Sequence, residues 1–165
     1  MKIVIAGAGE VGTHLARLLS KEDQDITLID TNGERLAVID ATCNILTLQG
    51  SPISFESLRS ARVNGCDLFI AVTPEETVNV LACSIAKSLG ARKTVARIDN
   101  YEFMHSNNAE FFRMRGVDVL IYPELLAARE ILKALQCNWV RNWFEIHEGQ
   151  LIVIGVKIRE SAPLA

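Results

Sequence analysis

The sequence predicts an α/β protein, a doubly wound parallel six-stranded sheet covered by helices on both faces, followed by the start of a small C-terminal β-containing module. Three observations carry this reading. Short apolar runs rich in β-formers recur along the chain, segments with helical spacing lie between them, and a glycine cluster stands where the first run meets the first helical segment. Regular alternation of strand and helix implies βαβ units with parallel strands and right-handed crossovers. Six strands in two halves give an expected order of 3-2-1-4-5-6.

The expected strands are Lys2–Ala6, Asp25–Asp30, Asn44–Leu48, Asp67–Val72, Lys93–Ile98 and Val117–Tyr122. Between them, Val11, Leu15, Leu18 and Leu19 share one helical face after Gly9, and Leu36, Val38 and Ile39 follow Asn32-Gly33. Val80, Leu81, Ile85 and Leu89 precede Gly90, a helix stop signal. A last helix, Pro123–Gln136, carries Leu125, Leu126, Ile131, Leu132 and Leu135. The pattern then changes: Trp143–His147 and Gln150–Ile158 read as a strand pair with Glu148-Gly149 as the hairpin turn. The expected organisation is therefore an α/β domain over 1–136, then over 137–165 a linker and the beginning of a second module, cut short before it forms a core.

Composition narrows the classes. With 165 residues, 49% hydrophobic and 22% charged, and a net charge of -3, the chain has the profile of one soluble globular domain. No stretch approaches the ~18 consecutive apolar residues of a membrane-spanning helix, so no direct insertion is expected. The 17 Lys and Arg against 20 Asp and Glu form no run of one sign, which leaves no footprint for nucleic acid or an anionic membrane. The start, Met1 to Gly7, lacks a signal-peptide pattern, so a cytoplasmic location is expected. Cys43, Cys66, Cys83 and Cys137 form no CxxC, and His14, His105 and His147 are scattered, so no metal site is expected and the cysteines read as reduced, mostly buried small residues.

Gly7-Ala8-Gly9-Glu10-Val11-Gly12 is a GxGxxG directly after the first strand and opening the first helix. In that position Gly7 serves a tight turn, Gly9 lets the backbone approach a pyrophosphate, and Gly12 lets the helix pack closely on the sheet. Free N–H groups at the helix start, with the positive end of its dipole, complete a phosphate site. Thr13 follows Gly12 with no lysine, which excludes a Walker A loop. Asp30 ends the second strand 18 residues after Gly12, near the ~20-residue interval at which a carboxylate meets the adenosine ribose hydroxyls. That carboxylate repels a 2′-phosphate, favouring NAD or an adenine nucleotide over NADP. Further candidates follow the other strands: Gly50 and Ser51 after the third, Thr73 and Pro74 after the fourth, and Arg97 ending the fifth beside Asp99. Gly50 would allow close backbone approach, Thr73 would hydrogen-bond ribose or phosphate, and Arg97 would fork onto phosphate oxygens. Asn79 stays open between ligand contact and local capping.

A dehydrogenase needs an acid or base and a substrate pocket beside the nicotinamide. No YxxxK, GxSxG or HExxH occurs: Tyr101 is followed four positions on by His105, and Tyr122 by Leu126. No catalytic residue is assigned, and with 1–136 consumed by the nucleotide fold, binding is the expected activity.

Five blocks in order, Met1 to Gly12, Ile29-Asp30-Thr31-Asn32-Gly33-Glu34-Arg35-Leu36, Gln49-Gly50-Ser51, Asp67 to Thr73 with Glu76 and Asn79, and Val95-Ala96-Arg97-Ile98, resemble the N-terminal portion of the TrkA family. These are the peripheral nucleotide-binding subunits of Trk-type potassium uptake systems, in the RCK/KTN regulatory class. The resemblance implies a Rossmann-like fold that binds NAD(H), ATP or ADP and passes a conformational change to a membrane potassium-translocating subunit from the inner face of the membrane. It implies a phosphate loop of Gly7, Ala8, Gly9, Glu10 and Val11, a ribose carboxylate at Asp30 beside Thr31, cofactor contacts at Thr73 and Arg97, and an adenosine-side contact at Arg35. Ser51 departs from the pattern, since an acidic residue commonly follows Gly50 in the family. A homodimer or homotetramer is expected, with the last helix, Trp139 and Trp143 as candidates for its surface or for packing on their own domain. The competing reading is a small NAD-dependent oxidoreductase acting across a dimer interface, against which the missing acid and base argue.

Overall fold

In the computed structural model, residues 1–136, 142–146 and 150–156 are described, and they divide into two units, Met1–Pro123 and Glu124–Ala165. The first runs β1 (Lys2–Ala6), α1 (Glu10–Leu19), β2 (Asp25–Asp30), α2 (Gly33–Asp40), β3 (Leu46–Gln49), α3 (Phe55–Ser60), β4 (Leu68–Ala71), α4 (Glu76–Ser88), β5 (Lys93–Arg97), a 3₁₀ turn (Tyr101–Met104), α5 (Ser106–Arg113) and β6 (Val119–Ile121). The strands form one sheet in the order β3-β2-β1-β4-β5-β6, every pair parallel, as the sequence predicts.

Because successive strand side chains point to opposite faces, β1 feeds two cores. Ile3 and Ile5 pack with Ile26, Leu28, Ala16 of α1, and Leu36 and Ile39 of α2. Val4 and Ala6 pack on the other face with Ile29, Phe69, Leu58, Ala82, Cys83 and Phe112. The helices of the first half and of the second half therefore cover opposite faces, and the chain reverses direction across the sheet between β1 and β4. The carboxyl ends of those two strands open the crevice where such sheets take ligands.

Four strands, β3 to β6, are shorter than expected, and for β3 and β6 the reasons are local. Cys43 N–H donates to the Ile39 carbonyl (2.9 Å) and Ile45 N–H to that of Cys43 (3.1 Å), so Asn44 belongs to the turn leaving α2. Val117 N–H closes α5 on the Phe112 carbonyl (3.0 Å). Asp118 carries the link into β6: its carboxylate accepts from Lys87 Nζ (2.7 Å) and from the Thr94 N–H (2.8 Å), while its own N–H donates to Thr94 Oγ1 (3.0 Å). Partial burial acts to raise the Asp118 carboxyl, but the hydrogen bonds from Lys87 and Thr94 outweigh it and hold the group below its ordinary value. Asp67 is held down as well, by the Lys2 N–H and Arg92.

A carboxyl depressed in the folded state stabilises above its unfolded pKa and loses that contribution as pH falls through the folded value. Stability measured by chemical denaturation is therefore expected to fall with acid below about pH 4, and Asp118→Asn to flatten that fall. An unchanged acid profile in the variant would show that Asp118 does not contribute.

Cys66 and Cys83 are fully buried, and burial pushes their thiols up to about 11 and about 12. Cys43 is half-buried.

In the second unit, α6 (Pro123–Gln136) is followed by β7 (Asn142–Ile146) and β8 (Leu151–Gly155), an antiparallel pair with Asn142 opposite Gly155 and Ile146 opposite Leu151. The division at Pro123 lies at the start of α6, and the domain limit expected at 136 lies at its end. Leu126, Ile131, Leu132 and Leu135 of α6 are exposed. Cys137, Trp139, the side chain of Trp143, His147, Glu148-Gly149 and Ile158 lie outside the described residues. Among the described residues no helix is long and apolar enough to cross a membrane.

Candidate functional site

Five strand ends build the site, those of β1 to β5. At the end of β1, Gly7 adopts φ +108°, and a Cβ there would lie 2.9 Å from the Thr73 nitrogen. Glycine is the residue that accepts both the left-handed backbone and the close approach to the end of β4. A Cβ on Gly12 would run into the Gly7 carbonyl oxygen, so α1 rests directly on the loop that precedes it. Gly9 sits at the start of α1 without a side-chain cap, and the space in front of its Cα is open. The first N–H groups of α1 are thereby left to solvent or an anion.

Asp30 closes this loop from β2. Its Oδ2 accepts the Ala8 N–H (2.5 Å) and its Oδ1 the Asn32 N–H (2.8 Å), so the carboxylate braces the glycine loop and the start of α2 together. Each carboxylate oxygen can accept again, which leaves acceptor capacity for a ribose hydroxyl. Asn32 caps α2 through the N–H groups of Glu34 and Arg35 (2.9 and 3.1 Å).

From β4, Thr73 and Pro74 form the facing wall. Asn79 of α4 is 1% exposed, and its amide is spent on this wall. Oδ1 accepts from the Thr73 N–H (2.9 Å) and Thr73 Oγ1 (2.7 Å), while Nδ2 donates to the carbonyls of Thr73 (3.0 Å) and Arg97 (2.9 Å). This is neither a helix cap nor a place on the cavity lining: the amide braces the ends of β4 and β5. Glu76 holds the loop after β5 by accepting the Asp99 and Asn100 N–H groups (both 2.9 Å). Arg97 pairs with Asp99 (2.9 Å), and its Nε–H is buried without a partner.

Two cavities result. One, of about 240 Å³, is lined by Gly7, Asp30, Thr31, Arg35, Ser51, Thr73 and Pro74 among the expected residues. The other, of about 310 Å³, is lined by Gly9, Glu10, Val11, Pro74 and Arg97. Ala8, Gly12, Gly50 and Asn79 line neither. Ala8 is spent on Asp30, Gly12 on helix packing, and Gly50 on α3, where a Cβ would stand 2.6 Å from Ser57 Oγ. Sequence reasoning missed Pro52, Ile53 and Glu75 in the first cavity. All three directly extend the Gly50-Ser51 and Thr73-Pro74 loops, and that adjacency was the available signal. Ile29 and Val78 carry no polar signal at all.

An apolar groove of about 750 Å³ runs beside the second cavity, between α1 (Val11, His14, Leu15, Leu18) and the sheet (Leu68, Ile70, Val95, Ile121). His14 is thus set on an apolar groove, away from the polar cavities.

Residues 3–123 match the TrkA-N domain. The chain belongs to the TrkA-N domain family. The TrkA-N match ends where the first unit ends. The chain is 39% identical over 137 residues to the Trk system potassium uptake protein TrkA of Haemophilus influenzae, covering 82% of this chain and 30% of that protein. It spans about a third of the length of the first such relatives. Among solved structures, the TrkA-N domain of the Escherichia coli inner membrane protein ybaL superposes with a TM-score of 0.70 at 18% identity, over 81% of this chain and 96% of that one. The GsuK channel bound to NAD gives a TM-score of 0.61 at 18% identity, over 73% of this chain and 21% of that one, and the same channel is also known bound to ADP. These likenesses place the TrkA-N chain in the Rossmann-like fold.

Proposed function

We propose that this chain is the nucleotide-binding part of a regulatory subunit of a potassium uptake system. In this reading it binds NAD(H), ATP or ADP in the crevice between β1 and β4 and acts on a membrane potassium-translocating subunit from the cytoplasmic face. The observation that carries it is the glycine loop braced by Asp30 under the uncapped start of α1. Such a loop presents N–H donors in the arrangement that a pyrophosphate needs. The residues present fit the ligand on a second count: Arg97 lines the cavity next to Gly9 and retains a buried, unpaired Nε–H. The first cavity, with Asp30, Glu75 and the exposed Arg35, suits an adenosine. The name of the relatives and the NAD- and ADP-bound channel with the same fold support the ligand class.

The chain's own groups divide the work. Gly9 and the first turn of α1 hold phosphate oxygens, Asp30 holds the ribose and repels a 2′-phosphate, and Arg97 responds to the length of the phosphate chain. A ligand shifts a regulator only by the difference in its affinity for the two conformations, and Arg97, at the end of β5, is placed to supply such a difference between ATP and ADP. A homodimer or homotetramer belongs to the same proposal.

Calorimetry of the chain with NAD, NADH, ATP and ADP tests it. Binding of at least one is expected, and binding of none would remove the reading. Loss of a charged hydrogen-bonding group is worth about 1.5–3 kcal/mol, so Arg97→Ala is expected to weaken ATP and ADP by roughly 10- to 100-fold and adenosine by less than about 3-fold. Equal losses for all three would place Arg97 away from the phosphates.

A further inference from the structure

The buried amide of Asn79 fixes which way hydrogen bonds run at the crevice wall. Its orientation is set by backbone partners that allow no alternative. The Thr73 N–H must donate, so its partner is Oδ1, and the carbonyls of Thr73 and Arg97 must accept, so their partner is Nδ2. An oxygen therefore faces Thr73 Oγ1 at 2.7 Å, and the other group in reach of that hydroxyl, the Glu75 carbonyl at 3.2 Å, is also an acceptor. A hydroxyl has one proton. Both protein partners of Thr73 require it, and only lone pairs remain for the cavity that Thr73 lines.

We propose that Asn79 is a positioning residue that sets the Thr73 hydroxyl as a hydrogen-bond acceptor, so that the ligand group seated at Thr73 is a donor, a ribose hydroxyl, and not a phosphate oxygen. This rests on the nucleotide reading above and deepens it. A phosphate near neutral pH offers mainly acceptors, and seating one against Thr73 would take the proton from Asn79 and leave its buried Oδ1 with the Thr73 N–H alone. Asp30 and Glu75 share the first cavity with Thr73 and with the cation Arg35, and Gly9 and Arg97 line the second together with Glu10. Asp30 and Thr73 then take the sugar, and Gly9 and Arg97 the phosphates. Through Nδ2, Asn79 also ties the ends of β4 and β5 together, so the acceptor wall and the arginine move as one piece.

The test is calorimetry of the full chain with ADP, 2′-deoxy-ADP, 3′-deoxy-ADP and inorganic pyrophosphate, on the wild type, Thr73→Val, Thr73→Ser and Asn79→Ala. Thr73→Val keeps the backbone N–H bond to Asn79 and exchanges the hydroxyl for a methyl. It is expected to weaken ADP by roughly 3- to 10-fold, the range of one neutral hydrogen bond, with Thr73→Ser restoring wild-type affinity. For one of the two deoxy analogues the Thr73→Val loss should vanish, and pyrophosphate should bind both proteins alike. Asn79→Ala is expected to reduce the preference for ADP over that same analogue. If Asn79→Ala fails to fold, the Thr73 variants decide alone. A Thr73→Val loss of equal size with both deoxy analogues, or weakened pyrophosphate binding, would overturn the acceptor assignment and leave the nucleotide reading standing. Absence of binding of NAD, NADH, ATP and ADP alike to the wild type would bring down both.

Discussion

Gly12→Ala is expected to destabilise the protein by about 3 kcal/mol or more and to abolish nucleotide binding. The added methyl would meet the Gly7 carbonyl oxygen, a backbone atom at the root of the loop, with Val72 Cγ2 3.3 Å away on the other side. A flexible side chain could swing aside, but here either α1 lifts from the sheet or the loop at Gly7 moves. At roughly 2–4 °C per kcal/mol for a chain of this size, the melting temperature should drop by about 10 °C. Gly9→Ala provides the contrast, since nothing lies within 4 Å of the position its Cβ would take. It should melt near the wild type and yet bind nucleotide more weakly, because the methyl occupies the approach to the α1 amides. Thermal unfolding and calorimetry on the two variants check this pair, and a Gly12→Ala protein that melts and binds like the wild type would refute the packing argument.

Asp30→Ala should give the second largest effect, and on two readouts. The Ala8 and Asn32 N–H groups lose their acceptor, which costs about 1–3 kcal/mol of stability. Binding should weaken by roughly 100-fold, because the ribose loses a charged acceptor worth about 1.5–3 kcal/mol and the glycine loop loses its brace. Asp30→Asn keeps one acceptor oxygen but turns an amide NH2 toward the other backbone N–H, so it should recover only part of the stability. Without the negative charge, the preference for NAD over NADP is expected to collapse in both variants. Affinities for NAD and NADP on the three proteins measure it, and an undiminished preference would move the discrimination to another residue.

The sheet order, the limits of β1, β2 and α6, and the glycine loop were legible because each has a local cause: a run of β-formers, a helical stripe, a turn that only glycine permits. Helices α3 and α5 were not. Phe55–Ser60 spans six residues and Ser106–Arg113 eight, each about two turns or fewer, too short for an apolar stripe to repeat. At the site, Asp30, Thr73 and Arg97 were readable from their places at strand ends. Gly50 reads as a point of close backbone approach to a ligand, and its crowding by Ser57 on a later helix, 2.6 Å from where a Cβ would stand, could not be seen from the sequence. The bracing by Asn79 was out of reach for a related reason, since its partners lie 6 and 18 residues away and meet only after β4 and β5 are side by side.

That bracing bears on time as well as energy. With the Ala8 amide held by Asp30 and the Thr73 amide by Asn79 before any ligand arrives, one wall of the crevice is tied to the end of β2 and the other to α4. Both amides should therefore exchange their hydrogens slowly, and in the nucleotide reading proposed above the ligand should meet a preformed surface.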